Sequence, residues 1–217
     1  MKELYIIATP IGNLKDITLR ALDILKEVDL LLCEDTRVTQ KLLNHYEIKV
    51  KTVSLHQHST DSKIKSLLER YDKVGYASDA GTPGISDPGG KVVEMAYDLD
   101  FEVLTVPGPS ALISAISISG FPTDKFVFLG FMPHKGKTKI FNQIKDSPYT
   151  ACFYESPHRI MKTLVEMKEF VAGRKIMIGR ELTKKFESVY RGTIDEVIEQ
   201  VEEKQKGEFV VIVSRHI

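Results

Sequence analysis

The chain has 217 residues, with 30 Lys+Arg against 30 Asp+Glu and an apolar fraction of 42%. That length accommodates one large domain or two smaller ones with full cores. Zero net charge excludes a histone-like or strongly basic nucleic-acid binder and leaves room only for a local basic patch. Residues 4–8 are an apolar run of strand length reached directly from Met1, which gives no sign of a secretory signal. Leu19, Leu22, Leu25 and Val28 form a helical stripe, and Leu30 to Cys33 reads as a short buried strand. Thr36 is placed to cap a helix carrying Val38, Leu42 and Tyr46. Residues 52–55 make a weak strand, and Ile64, Leu67, Leu68 and Tyr71 mark another helix. Residues 74–77 and 103–106 read as strands, and residues 92–99 and 111–118 as helices. Repeated β-α-β units with apolar strands predict a parallel sheet covered on both faces.

Gly120-Phe121-Pro122-Thr123-Asp124 breaks this rhythm, which puts a domain boundary there: residues 1–119, then 120–217, each an α/β domain. The second half reads as a strand at 126–129, a basic segment, a strand at 150–154 and a helix at 160–170. Strands at 175–179 and 188–191, a helix over Ile194, Val197, Ile198 and Val201, and a strong strand at 209–213 follow. The close spacing of the late strands predicts a mixed sheet, against a mostly parallel one in the first half. Cys33 and Cys152 lie in apolar runs and read as buried hydrophobes, not as a disulfide or metal framework. No apolar run approaches the ~20 residues of a membrane span, so a cytoplasmic protein without membrane contact is expected.

The densest chemical signal is Ser78-Asp79-Ala80-Gly81-Thr82-Pro83-Gly84-Ile85-Ser86-Asp87-Pro88-Gly89-Gly90. Proline lacks an N–H and glycine loses entropy on ordering, so this is a structured turn that bares its backbone. At the carboxyl end of a strand in an open α/β sheet, such a turn is where ligands sit. Asp79 and Asp87 add acceptors for amines or hydroxyls. Three more turns follow strands: Ala8 to Leu14, which lacks the G-x-G-x-x-G spacing of a dinucleotide fold; Glu34-Asp35-Thr36-Arg37; and Pro107-Gly108-Pro109-Ser110-Ala111, whose small side chains permit close approach to the backbone. His134-Lys135-Gly136-Lys137-Thr138-Lys139 is not a P-loop, because Phe131 stands where the first glycine is required. Its lysines and histidine suit phosphate contacts in a nucleic-acid groove, or a plain solvated loop. Tyr154-Glu155-Ser156-Pro157-His158-Arg159 lacks a nucleophile elbow and is no hydrolase pair. Arg180 to Glu187 brings mixed charge after a strand, and His56-Gln57-His58 reads as a polar loop without metal-ligand spacing.

The strings ATPIGNLKDITLRAL, CEDTR, SDAGTPGISDPG, PGPSAL, YESPHR, RELTKKFE and KGEFVVIV, in this order and over nearly the whole chain, resemble the tetrapyrrole methylase superfamily. More narrowly, they resemble its bacterial branch that methylates the ribose 2′-hydroxyl of a cytidine in the decoding region of 16S rRNA. The resemblance implies S-adenosylmethionine as donor, bound in the cleft between two α/β domains, and a homodimer. It implies cofactor contacts from Pro10, Ala80, Gly81, Thr82, Ile85, Ser110, Ala111, Tyr154 and Leu182. Methyl transfer from a sulfonium needs no metal; it needs the acceptor oxygen aligned behind the methyl carbon, helped by a base or polarising group. Asp35, Glu155 and Glu181 are the candidate bases, with Lys184 or Arg159 stabilising charge. Arg37, His134, Lys135, Lys137 and Lys139 are the candidate RNA contacts. Zero net charge suits an assembled small ribosomal subunit that presents the nucleotide unpaired. Two other readings remain open: a tetrapyrrole-type small-molecule methylase, against which the charged EDTR, YESPHR and RELTK strings count, and a non-enzymatic nucleotide- or RNA-binding module.

Overall fold

A computed structural model describes residues 1–56, 59–87 and 89–216. Gln57 and His58, two residues of the polar loop expected from sequence, lie outside the described residues, as do Pro88 and Ile217. The chain divides into two compact units, Met1–Ser110 and Ala111–Ile217.

The first unit carries β1 (Glu3–Ile7), α1 (Leu19–Glu27), β2 (Leu30–Cys33), α2 (Thr36–His45), β3 (Thr52–Ser54), α3 (Asp61–Arg70), β4 (Lys73–Ala77), α4 (Gly89–Asp98) and β5 (Glu102–Val106). Its five strands run in the order β3-β2-β4-β1-β5, and every pairing is parallel. The short apolar strands alternate between two covered faces. Leu31 joins Ala21 and Leu25 of α1 and Leu42 and Leu43 of α2 on one side. Leu30 and Leu32 join Ile64 and Leu68 of α3 and Val92 and Ala96 of α4 on the other. The chain thus leaves β1 for one face and β4 for the other, although β1 and β4 are neighbours. That reversal is the topological switch point at which ligands bind in open α/β sheets.

The second unit carries α5 (Ala111–Ser119), β6 (Phe126–Phe131), α6 (Lys137–Asp146), β7 (Thr150–Glu155), α7 (Ile160–Met167), β8 (Ile176–Arg180), β9 (Ser188–Gly192), α8 (Ile194–Glu202) and β10 (Phe209–Val213). The sheet is mixed, in the order β6-β7-β10-β8-β9. β6 and β7 are parallel, while β10 runs antiparallel to both β7 and β8. α6, α7 and α8 contribute Phe141, Leu164 and Val197 to one core with Phe153 and Val211. A capping box between Thr193 and Glu196 starts α8.

Three sequence readings shift. The units divide after Ser110, ahead of the break read at Gly120, because α5 packs on β10 and β8. Asp35, not Thr36, caps α2: its carboxylate accepts from the Arg37 N–H, leaving Thr36 as the first helical residue. Within the basic segment the chain turns into α6, whose buried Phe141 and Ile144 come only after the lysines. Arg174, unmarked in the sequence, is buried with no carboxylate partner among the described residues and donates to the carbonyls of Ile144, Tyr149 and Ser214. Both cysteines are free and buried.

Candidate active site

In the first unit all strands are parallel, so the turns after β1, β2, β4 and β5 gather at one edge of the sheet. The β1 and β4 turns are joined directly. Thr9 and Gly81 exchange two backbone hydrogen bonds of 3.0 Å each in an isolated antiparallel bridge. Gly81 adopts φ +83°, and a Cβ there would approach Ile11 Cγ2 to 3.3 Å, so this position demands glycine. The buried Thr9 hydroxyl donates to the Ser78 carbonyl at 3.1 Å. Thr82 Oγ1 donates to the Pro109 carbonyl at 3.0 Å, tying the β4 turn to the β5 turn. Asp87 is spent on architecture: its carboxylate accepts from the N–H groups of Gly84 and Gly89 and from the Tyr76 hydroxyl. Burial and this carboxylate push the Tyr76 phenol up.

The β2 turn is tied in through carboxylates. Asp79 Oδ1 accepts from the Asp35 N–H at 3.0 Å, and Glu34 Oε2 accepts from the Asp79 N–H at 3.3 Å. Burial, then the neighbouring Asp87 and Asp79, raise the Glu34 carboxyl above its ordinary value, against the Asp79 N–H. Asp35 goes the other way. Its bonds to the Arg37 guanidinium and N–H hold it at about 2. A carboxylate held that low is a weak base, and Arg37 is engaged by it.

In the second unit β7 and β8 flank β10 and run parallel to each other. Phe209, the first residue of β10, pairs with both Glu155 and Arg180, the last residues of those strands. The YESPHR and RELTK turns therefore share one sheet edge. Glu155 is fully buried. Its Oε1 takes Arg159 Nη2 at 2.6 Å and the Ser156 N–H at 2.8 Å, and its Oε2 takes the Thr163 hydroxyl at 2.6 Å. Arg159 Nε donates to Ser156 Oγ at 3.0 Å, while its buried Nη1 has no partner. The Tyr154 ring lies 5.0 Å from Phe128 and 5.2 Å from Phe131, and burial raises its phenol against a bond from the Leu112 N–H.

The RELTK turn holds two non-glycine residues in the left-handed region, Glu181 at φ +51° and Thr183 at φ +67°. For a β-branched threonine this is uncommon and strained. Its buried hydroxyl lacks a partner and its N–H is taken by Glu187. Buried Leu182 covers Gly179. Glu181 accepts from Lys184 Nζ and the Glu208 N–H, each at 2.9 Å. Burial pushes the Glu181 carboxyl up, but these donors outweigh it and leave it lowered. Burial likewise opposes the Lys184 charge, and its bonds to Glu181 and Glu208 leave it raised. A Cβ on Gly207, at φ +117°, would meet Glu181 Cγ at 2.5 Å.

The basic segment is less uniform than its sequence. His134, Lys135 and Lys139 are exposed. Lys137 is tied to Thr163 at 2.8 Å and Glu166 at 3.0 Å, with a side chain only 10% exposed. Among the described residues no group of His, Cys, Asp or Glu could hold a metal, and no helix is long and apolar enough to cross a membrane.

The first unit is an open parallel α/β sheet with a ligand-type turn at its switch point, and the second a mixed α/β sheet with strained, charge-paired turns at one edge. The chain belongs to the Tetrapyrrole (Corrin/Porphyrin) Methylases, whose family profile matches residues 3–198. It is 45% identical to the Thermotoga maritima protein named Ribosomal RNA small subunit methyltransferase I, over 99% of each chain. It is 44% identical to the Bacillus subtilis protein of that name, covering 97% of this chain and 74% of that one. The fold is shared with uroporphyrin-III-C-methyltransferase of Thermus thermophilus, at TM-score 0.66 and 16% identity over 99% of this chain and 94% of that one. It is shared too with the methyltransferase CobJ, at TM-score 0.71 and 14% identity over 99% and 95%.

Proposed function

We propose that the chain transfers the methyl group of S-adenosylmethionine to the ribose 2′-hydroxyl of a cytidine in the decoding region of 16S rRNA. The observation that carries this reading is the 45% identity to a protein named for rRNA small-subunit methylation, over 99% of both chains. The assembled small subunit is the acceptor we favour, and the chain acts as a homodimer in the cytoplasm.

The residues fit the donor. Ile85 offers an apolar surface, half exposed, on an otherwise polar turn. The bridge of Thr9 to Gly81 and the bond of Thr82 to Pro109 hold the surrounding backbone in place. Pro10, Ala80, Gly81, Thr82, Ile85 and Ser110 of the first unit, with Ala111, Tyr154 and Leu182 of the second, would hold it. When bound, it supplies an electrophilic methyl group. The protein contributes alignment and charge placement, which dominate such a displacement.

Glu155 acts by orienting Arg159, because all its bonds point to neighbours within the YESPHR segment and α7. Glu181 and Lys184 act as a pair that fixes the strained turn. Lys135, Lys139 and His134 meet the RNA backbone, and Lys137 shapes the surface beneath them. Incubation with methyl-labelled S-adenosylmethionine, with small ribosomal subunits and a tetrapyrrole offered separately, tests the reading. Label in 16S rRNA alone is expected; label in the tetrapyrrole alone overturns it.

A further inference from the structure

The edge strand β6 breaks its own alternation at its end. Val127 and Leu129 pack against the core shared with α6, α7 and α8, so a regular strand would point Phe131 into that core as well. Instead, Phe128 pairs with Cys152 and Phe131 with Tyr154, so three steps along β6 span two along β7. This is a bulge, and it contains Gly130 at φ +68°. A Cβ at Gly130 would meet no described atom within 4 Å, so the backbone angle, not lack of space, selects glycine. The extra residue hands the core position to Met132, 2% exposed, and turns Phe131 to the opposite face, where it is 57% exposed.

Single exposed hydrophobic residues are common on protein surfaces, but the setting of this one is specific. Phe131 packs against the Tyr154 ring at a centroid distance of 5.2 Å and a tilt of 57°, which braces it without covering it. β6, β7 and β8 run in the same direction, so Phe131 ends its strand at the sheet edge that carries the YESPHR and RELTK turns. The exposed His134, Lys135 and Lys139 follow within eight residues. An exposed ring followed by cations is the composition of a single-strand RNA site, in which lysines track the phosphates and a base stacks on the aromatic face.

We propose that Phe131 is a stacking platform for an unpaired base of the rRNA acceptor strand. The inference rests on the rRNA reading above and adds to it a residue that positions the strand at the sheet edge bearing Tyr154. Every base has a π face, so stacking is tolerant of sequence. The platform therefore sets where the strand lies and leaves the choice of cytidine to other groups.

The experiment uses the full-length chain and small ribosomal subunits lacking the methyl group. Subunit binding is measured at several salt concentrations, with transfer from labelled S-adenosylmethionine in parallel. Phe131→Ala should weaken binding roughly 5- to 150-fold. The loss should appear at every salt concentration with the same slope, because a stacked base releases no counterions. Phe131→Leu, which keeps apolar bulk without a π face, should lose comparable affinity, and Phe131→Trp should stay within about two-fold of the unaltered chain. Donor affinity by calorimetry and elution volume on gel filtration should not move in any variant. Equal binding by Phe131→Ala and the unaltered chain would overturn the platform. So would a flattened salt slope, which would make the ring a prop for the basic segment. Lost donor affinity would assign the ring to the donor's adenine, and a changed elution volume would bury it between copies of the chain; either result overturns the proposal. Phe131→Leu carries the test where Phe131→Ala fails to fold. Neither binding nor transfer by the unaltered chain would instead overturn the rRNA reading, and the platform with it.

Discussion

Thr9 and Gly81 face each other across the switch point of the parallel sheet and share two 3.0 Å backbone hydrogen bonds. This bridge fixes where the β4 turn begins and therefore where its small residues stand. Gly81→Val would force a β-branched residue to φ +83° and crowd Ile11. The backbone cost is about 1–2 kcal/mol, and donor affinity should fall more than stability. Urea unfolding and donor calorimetry on the same preparation separate the two effects.

Glu155→Gln should behave as a structural lesion with a catalytic consequence. The substitution leaves the Arg159 guanidinium, whose side chain is 19% exposed, without its counter-charge. Breaking a fully buried pair costs about 3–5 kcal/mol; with Arg159 partly exposed the loss should be smaller, to be read as a lower urea midpoint at unchanged slope. Arg159→Lys should cost less stability and still lose turnover, because one ammonium cannot reproduce bonds to both Ser156 and Glu155.

The lysines of the basic segment should divide into two classes. Lys135→Ala and Lys139→Ala should each reduce the salt dependence of RNA binding by about one unit of slope. Lys137→Ala should leave the slope nearly intact and lower the melting temperature, since its ammonium is held by Thr163 and Glu166. Binding at several salt concentrations, with a thermal melt of each variant, checks the division.

Acid should loosen the RELTK turn. Glu181 is held below its ordinary value of 4.5 in the folded chain. A depressed carboxyl stabilises the fold above its unfolded value, and that stabilisation is lost as pH falls through the folded one. Urea midpoints should therefore drop as pH falls below the ordinary carboxylate value, and Glu181→Gln should flatten that part of the profile. Gly207→Ala should perturb the same turn at neutral pH, because its Cβ would overlap Glu181.

Much of the architecture is legible in the sequence because its strands are short, apolar and bounded by turn residues. Leu30–Cys33 and Phe209–Val213 are instances in which an unbroken apolar run coincides with a central, doubly covered strand. α6 was hidden because its apolar residues, Ile140, Phe141 and Ile144, follow a lysine-rich first turn that reads as loop. The unit division was hidden for a different reason. α5 follows β5 as another β-α step would, and only its packing on β10 and β8 assigns it to the second unit.

The site was legible as a set of turns but not as a set of roles. Strand ends and turn chemistry identify YESPHR and RELTK as places where charge collects. They do not reveal that Glu155 bonds Thr163 on the following helix, or that Lys184 reaches Glu208 across the chain. Those partners are distant in sequence and obey no period. Asp79 reads as an acceptor in the sequence, but its bond from the Asp35 N–H joins two turns 44 residues apart and follows only from the packing of β2 on β4.

The most direct test of the account is to map the methyl group. The full-length chain is incubated with labelled S-adenosylmethionine and small ribosomal subunits from a strain lacking this activity, and the recovered 16S rRNA is cleaved with alkali. A single labelled, alkali-resistant linkage at a cytidine of the decoding region is the predicted result. Label on a base, with every linkage still cleaved, or no transfer to subunits by a protein that binds the donor, would contradict ribose 2′-O-methylation.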